Sequence, residues 1–238
     1  MEWNDKGILL VSRPYGENFK ILQFFTKENG IHNGLIRYSK KNINFEIQPG
    51  NQFNIRWKAR LQEHLGTFEL DLIKNRTSSF FINKSFLIAF NSVTSLIISS
   101  LPERERYLNL YEGTIDLIDS LSISNDWLLK YVRWELLLLN EVGFGLDLSK
   151  CIVTGKSENL KYVSPKSGCA VSELAGENWK NKLLKLPTFL TENKENSVPK
   201  EEIIKGLKLT EFFLRKNIFY ESFEKKLPKS RDLFIKSI

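Results

Sequence analysis

The sequence predicts an α+β chain, with a five-stranded barrel of OB type over residues 1–76 and an α-helical domain over 77–238. Three observations predict it. The first 76 residues carry short apolar runs, rich in β-branched and aromatic residues and separated by turn signals. From residue 77 the apolar residues recur at steps of three and four, the period of a helix with one buried face. Between 143 and 172 that period fades, and both cysteines of the chain fall in this stretch.

The strand candidates are Gly7–Arg13, Asn18–Thr26, His32–Tyr38, Gln52–Arg60 and Thr67–Lys74. Between them stand Pro14-Tyr15-Gly16-Glu17, the Lys27–Gly30 turn, the Lys40–Gly50 loop and the Glu63–Gly66 turn. Five short strands in about 75 residues are too few for a two-sheet sandwich and fit a small closed barrel. Ser78 and Ser79 then offer caps for a helix to about Ser100. Pro102, Glu103 and Glu105 suit the first turn of a second helix, to about Leu121. Asn125 is a cap candidate for a third, Asp126–Val142, which Gly143 stops. A helix is expected over Ser172–Lys185, a polar linker over 191–199, and a long helix from Pro199 to about Phe223. The tail, KKLPKSRDLFIKSI, is basic and partly apolar.

With 238 residues and 42% hydrophobic content, the chain can build two modest cores. Its net charge of +7 favours polyanionic partners, nucleic acid first. The start, MEWNDKGILL, is acidic where a signal peptide would be basic, and two cysteines suggest a reducing compartment. The most apolar stretches, Phe86–Leu101 and Leu128–Leu139, are broken by polar residues, so no membrane span is expected. The composition therefore reads as a cytoplasmic protein that is not a membrane partner.

Nothing points to catalysis or to a cofactor. The two histidines, His32 and His64, lie in no HExxH motif, and there is no GxSxG, GxxxxGK[ST] or GxGxxG loop. The basic pattern is more informative. In QFNIRWKAR, Phe53, Ile55, Trp57 and Ala59 point one way, and Arg56, Lys58 and Arg60 the other. A strand with a core face and a cationic face can follow a phosphate backbone. Arg37, Lys40 and Lys41 add cations nearby, and Tyr38 an aromatic. The bland alternative is that Glu69 and Asp71 on the next strand pair with Lys58 and Arg60. On the third helix Lys130 and Arg133 share a face. They either snorkel from a buried helix or rim a groove for an acidic-hydrophobic peptide. Cys151-Ile-Val-Thr154 and Cys169-Ala-Val-Ser172 each place a hydroxyl where a C-x-x-C pair would have its second thiol. Two thiols are half a zinc set, so no metal is expected there. Small buried cysteines in a compact hairpin-like lobe are the simpler reading, with Thr154 and Ser172 bonding locally.

Taken together, several segments resemble the RecO recombination-mediator family. They are KGILLVSRPYGENFKILQFFTKENGIHNGLIRYSKK, RWELLLLNEVGFGLDLSKC, SPKSG and LPKSRDLF. The resemblance implies an OB barrel, a helical domain and a lobe that in many members holds zinc through four cysteines. Here that lobe, at 143–172, would lack a full ligand set. It further implies a non-enzymatic DNA repair and recombination mediator that binds single- and double-stranded DNA and anneals complementary strands. Such a protein works with RecR, recognises the C-terminal tail of single-stranded DNA-binding protein, and helps load RecA onto coated strands. A bacterial, nucleoid-associated location follows from the same resemblance. It carries Arg37, Lys40 and Lys41 over as backbone contacts and Arg133, beside Lys130, as a tail-binding candidate. Arg56, Lys58 and Arg60 come from the strand pattern alone. A protein-interaction adaptor and an RNA-binding OB module remain alternatives.

Overall fold

The computed structural model describes residues 1–37, 47–77, 80, 83–121, 123, 126–191, 198–220 and 226–238. By packing they form two compact units, 1–118 with 228–238 and 119–227.

The first unit is built on a closed barrel of strand order β1-β2-β3-β5-β4, with β1 Glu2–Tyr15, β2 Phe19–Thr26, β3 Gly30–Arg37, β4 Gln52–Lys58 and β5 Thr67–Lys74. β1 is 14 residues long, twice the expected length. Its first half pairs with β4 and its second half with β2, and a register shift between Leu9 and Val11 bends it from one partner to the other. β3 closes the barrel on β5 by a parallel contact at Leu35 and Thr67. Alternation in β4 buries Phe53, Ile55 and Trp57, which join Leu9, Leu22, Phe24, Ile47 and Phe68 in the core. Phe24 meets Phe53 and Phe68 edge-on, at 5.8 and 5.2 Å between ring centres.

Two helices follow, α1 Lys84–Ser100 and α2 Leu108–Ser120. Asn83 caps α1, its Oδ1 accepting from the Ser85 N–H at 2.9 Å. The serines expected to cap it, Ser78 and Ser79, lie outside the described residues. Pro102 opens no helix. Residues 102–107 run as a non-helical strap in which Glu103 bridges to Ile31, and α2 starts only at Leu108. Gly30 (φ 62) makes this possible, because a Cβ there would sit 1.9 Å from the Glu105 carbonyl oxygen. The C-terminal tail is also helical, as α6 Lys229–Ser237, and packs on α1 with Phe234 and Arg231 fully buried.

The second unit holds α3 Trp127–Glu141 and α5 Lys200–Asn217, packed against each other. Gly206 on α5 permits the approach, since a Cβ would lie 2.8 Å from a Val132 methyl. Buried Glu135 of α3 accepts a hydrogen bond from the Thr210 hydroxyl of α5. The expected helix over 172–185 is absent. A small sheet forms instead, in the order β7-β6-β8, from β6 Leu160–Val163, β7 Ala170–Ser172 and β8 Leu184–Lys185. Only α4 Glu173–Gly176 and one 3₁₀ turn, Glu177–Trp179, remain of the helical signal. Apolar residues at helical spacing in a short stretch are overridden once a neighbouring strand offers ladder partners. Among the described residues no helix is long and apolar enough to cross a membrane.

Candidate nucleic-acid interface

Two exposed faces of the barrel carry cations, and they differ in what surrounds them. On the face of β1, β4 and β5, Arg56 stands opposite Asn4 and Glu69, and Lys58 opposite Glu2 and Thr67. Arg56 pairs with Glu2 through Nε and with Glu69 through Nη1 at 3.5 Å, and Lys58 Nζ reaches Glu69 Oε1 at 3.0 Å. The hydrogen bond and charge of Glu2 raise the Arg56 pKa; those of Lys58, then of Arg56, hold Glu69 below its ordinary value. Glu69 thus takes Lys58, as one sequence reading expects, and Arg56 rather than Arg60. Pairs this exposed are screened by water and hold their partners only weakly, so a phosphate can displace the carboxylate.

The face of β1, β2 and β3 is different. Tyr15 stands opposite Phe19, and Phe19 opposite Arg37, so all three point to one side. Tyr15 is 54% and Phe19 40% exposed, and Arg37 is exposed beside them. The turn that joins Tyr15 to Phe19 begins at Gly16 (φ 61). Two residues before Tyr15, Arg13 shares its face. Arg13, Arg37 and Arg60 form no ion pair among the described residues. Further along the same face Val11, Ile21 and Arg13 line a groove of about 440 Å³, whose wall includes Leu65 of the β4–β5 loop. Beyond it Phe25 is buried against Tyr111 of α2, at 5.6 Å between ring centres. The Tyr15 end of this face is open to solvent. Flat aromatic surfaces beside unpaired guanidinium groups can stack bases and neutralise phosphates together. In OB barrels this strand face and these loops are where oligonucleotides lie.

Of the residues expected from sequence, Arg37 therefore lies on the aromatic face, and Arg56 and Lys58 on the mixed-charge face. Arg60 is exposed just past β4, at the start of the β4–β5 loop. Lys40 and Lys41, with Tyr38, fall outside the described residues. Arg13, Tyr15 and Phe19 were not anticipated. Their signal was the alternation Phe19, Ile21, Gln23, Phe25 opposite Leu22 and Phe24, next to a glycine turn.

In the second unit Lys130 and Arg133 are half-buried on one side of α3, between the buried Leu129, Tyr131, Val132 and Trp134. In its lobe Cys151 is buried, and the Ser172 N–H donates to its sulfur at 3.2 Å. Burial would push the Cys151 thiol up, but hydrogen bonds from Ser172 and Thr154 outweigh it and bring it down to about 6. Cys169 is half-buried, its thiol toward the Ser167 carbonyl at 3.7 Å. Two thiols and two hydroxyls do not suit zinc, and no group of three or more His, Cys, Asp or Glu side chains converges among the described residues.

Comparison with known sequences accounts for nearly all of the chain. Residues 1–76 match the family described as "Recombination protein O N terminal", and residues 87–225 match "Recombination protein O C terminal". The protein named "DNA repair protein RecO" from Ruegeria sp. (strain TM1040) is 37% identical over 239 residues, which is 100% of this chain and 98% of that protein. Its namesakes from Orientia tsutsugamushi (strain Ikeda) and Rickettsia felis (strain ATCC VR-1525 / URRWXCal2) are 40% and 39% identical, again over 100% of this chain, and 98% of each of those proteins. On the strength of both family matches and these full-length relatives, the chain belongs to the RecO family of DNA repair and recombination proteins.

Proposed function

We propose that the protein binds single- and double-stranded DNA through its barrel and anneals complementary strands, with no bond made or broken. The observation that carries this is the ladder Tyr15–Phe19–Arg37, two exposed aromatics and an exposed cation side by side on one barrel face. Arg13 and Arg60 extend the positive surface, and Lys40 and Lys41 follow Arg37 in the chain. Arg56 and Lys58 join by exchanging Glu2 and Glu69 for phosphates. Two complementary strands repel through their phosphates, and a surface that neutralises both lowers the barrier to pairing. In the cell the protein acts with RecR, is drawn to coated strands by the C-terminal tail of single-stranded DNA-binding protein at Lys130 and Arg133, and helps RecA load there. Tail binding raises its local concentration on the strands to be paired.

The test is annealing of complementary labelled oligonucleotides, bare and coated, beside a titration of one strand at several salt concentrations. Annealing that is accelerated, with affinity falling steeply as salt rises, supports the proposal. A strand that stays unbound at moderate salt sinks it. One observation favours a second reading, a protein-interaction adaptor whose barrel is only a support: Arg56 and Lys58 are both held by acids. That reading requires tail-peptide binding lost in Arg133→Ala and negligible DNA affinity in the unaltered protein.

A further inference from the structure

We infer that Arg104 is a positioning residue for strand binding, locking the β4–β5 loop in the shape that faces the nucleic acid. This rests on the DNA-binding reading of the barrel above. Arg104 is outside the barrel, in the strap between α1 and α2, and its backbone is left-handed, with φ 64. A residue with a Cβ enters that region only at a steric cost, so other contacts must hold it there. They are close by. The Arg104 N–H donates to the Ile31 carbonyl at 2.9 Å, Glu103 bridges to the same strand, and Gly30 admits the Glu105 backbone.

What the turn achieves is the placement of the guanidinium under the β4–β5 loop. Nη1 donates to the Gln62 carbonyl at 2.5 Å, and Nη2 to those of Glu63 and His64 at 3.4 Å each. The next carbonyl, of Leu65, accepts from Trp57 Nε1 at 3.0 Å, and that of Gly66 from the Leu35 N–H at 3.0 Å. Five successive carbonyls, 62–66, are therefore all tied to the body of the unit. Three of the five depend on the one side chain of Arg104.

Two consequences follow for a strand lying on this face. The carbonyl oxygens of Gln62, Glu63 and His64 are taken up by the Arg104 guanidinium, which offsets their partial negative charge, while Leu61, Gln62, Glu63 and His64 present exposed side chains. The loop is also ordered before binding, so association need not freeze it. Leu65, which walls the groove beside Arg13 and Ile21, directly follows the carbonyls that Arg104 holds and is itself tied to Trp57. Arg104 is itself exposed, so direct contact with a phosphate is the competing role, and salt dependence separates the two.

The experiment compares the full chain with Arg104→Asn and Arg104→Lys. Asparagine tolerates the left-handed backbone but cannot span the three carbonyls, and lysine can reach only some of them. Amide hydrogen exchange is measured without nucleic acid, and single-strand affinity is measured as a function of salt. The inference expects faster exchange confined to residues 61–66, an unchanged melting temperature to within a few degrees, and roughly three- to tenfold weaker binding with an unaltered salt slope, partly recovered in Arg104→Lys. A salt slope smaller by about 0.7 would make Arg104 a phosphate contact and overturn the positioning role. Faster loop exchange with undiminished affinity, or undisturbed exchange, overturns it as well. If Arg13→Ala with Arg37→Ala weakens binding while Arg104→Asn does not, the inference falls and the DNA reading stands. If the unaltered protein binds no strand, the reading itself falls.

Discussion

Phe19 stands directly opposite Arg37 across the β2–β3 ladder, with both side chains open to solvent. A base stacked on the ring would have its phosphate within reach of the guanidinium. Phe19→Ala is expected to weaken single-strand binding by about tenfold, from the loss of one stacking surface, with little change in salt dependence. Arg37→Ala should lower the salt slope by about 0.7. The doubly paired Arg56 gives the contrast, since Arg56→Ala frees Glu2, leaves Glu69 to Lys58, and removes only a cation already screened. An Arg56→Ala effect larger than that of Arg37→Ala would move the interface to the other face.

Packing of the strap on the barrel depends on a missing methyl group. Gly30→Ala would place a Cβ against the Glu105 backbone and force a β-carbon into a backbone of φ 62. We expect a loss of more than about 2 kcal/mol in urea unfolding, well beyond an ordinary surface change. Gly16→Ala, with the same sign of φ but open space around it, should lose about 1 kcal/mol. Equal losses at the two sites would show that the strap does not press on Gly30.

Acid should weaken the barrel through His32. It is buried between Trp3 and Trp57, which it meets edge-on at 4.9 Å each, and its two ring nitrogens have no hydrogen-bond partner among the described residues. Burial first, and the charge of Arg104 second, lower its pKa from 6.5 to about 4. Between those values the unfolded chain binds a proton that the folded one excludes. Stability from this site is complete above pH 6.5 and falls as the pH drops toward 4, by about 3 kcal/mol in all. His32→Phe should flatten that part of the unfolding profile. A profile unchanged by the substitution would assign the acid sensitivity to other groups.

The lobe offers a gain-of-function test. Ser172 and Thr154 both turn toward the Cys151 sulfur, where the family resemblance would place thiols. Thr154→Cys together with Ser172→Cys should therefore bind about one zinc ion per chain and raise the melting temperature, while either single change should do less. Metal content after dialysis reads the outcome. A double variant without zinc would mean that Cys169 cannot swing from the Ser167 carbonyl to complete the set.

Where local pattern decides structure, the sequence was sufficient. Alternation placed Phe53, Ile55 and Trp57 inside and Arg56 and Lys58 outside, because side chains on a strand must alternate. The change from strands to helices, the α3 helix and its stop at Gly143, and the family itself were legible in the same way. The sheet of the lobe was not: β6, β7 and β8 are two to four residues long and exist only because they pair. Nor was the non-helical strap over 102–107, since what holds it is Ile31, some 70 residues away in the chain.

The site divides along the same line. Its charge, its aromatic content and the faces of its strands were fixed residue by residue along the chain. Tertiary structure alone decided that Glu2 and Glu69 cover Arg56, that Tyr111 buries Phe25 while Phe19 stays open, and that one arginine on a distant strap ties down a loop. The reason is that exposure and ion pairing belong to neighbours in space. Those neighbours are chosen by barrel closure and helix packing, not by the local spacing of residues.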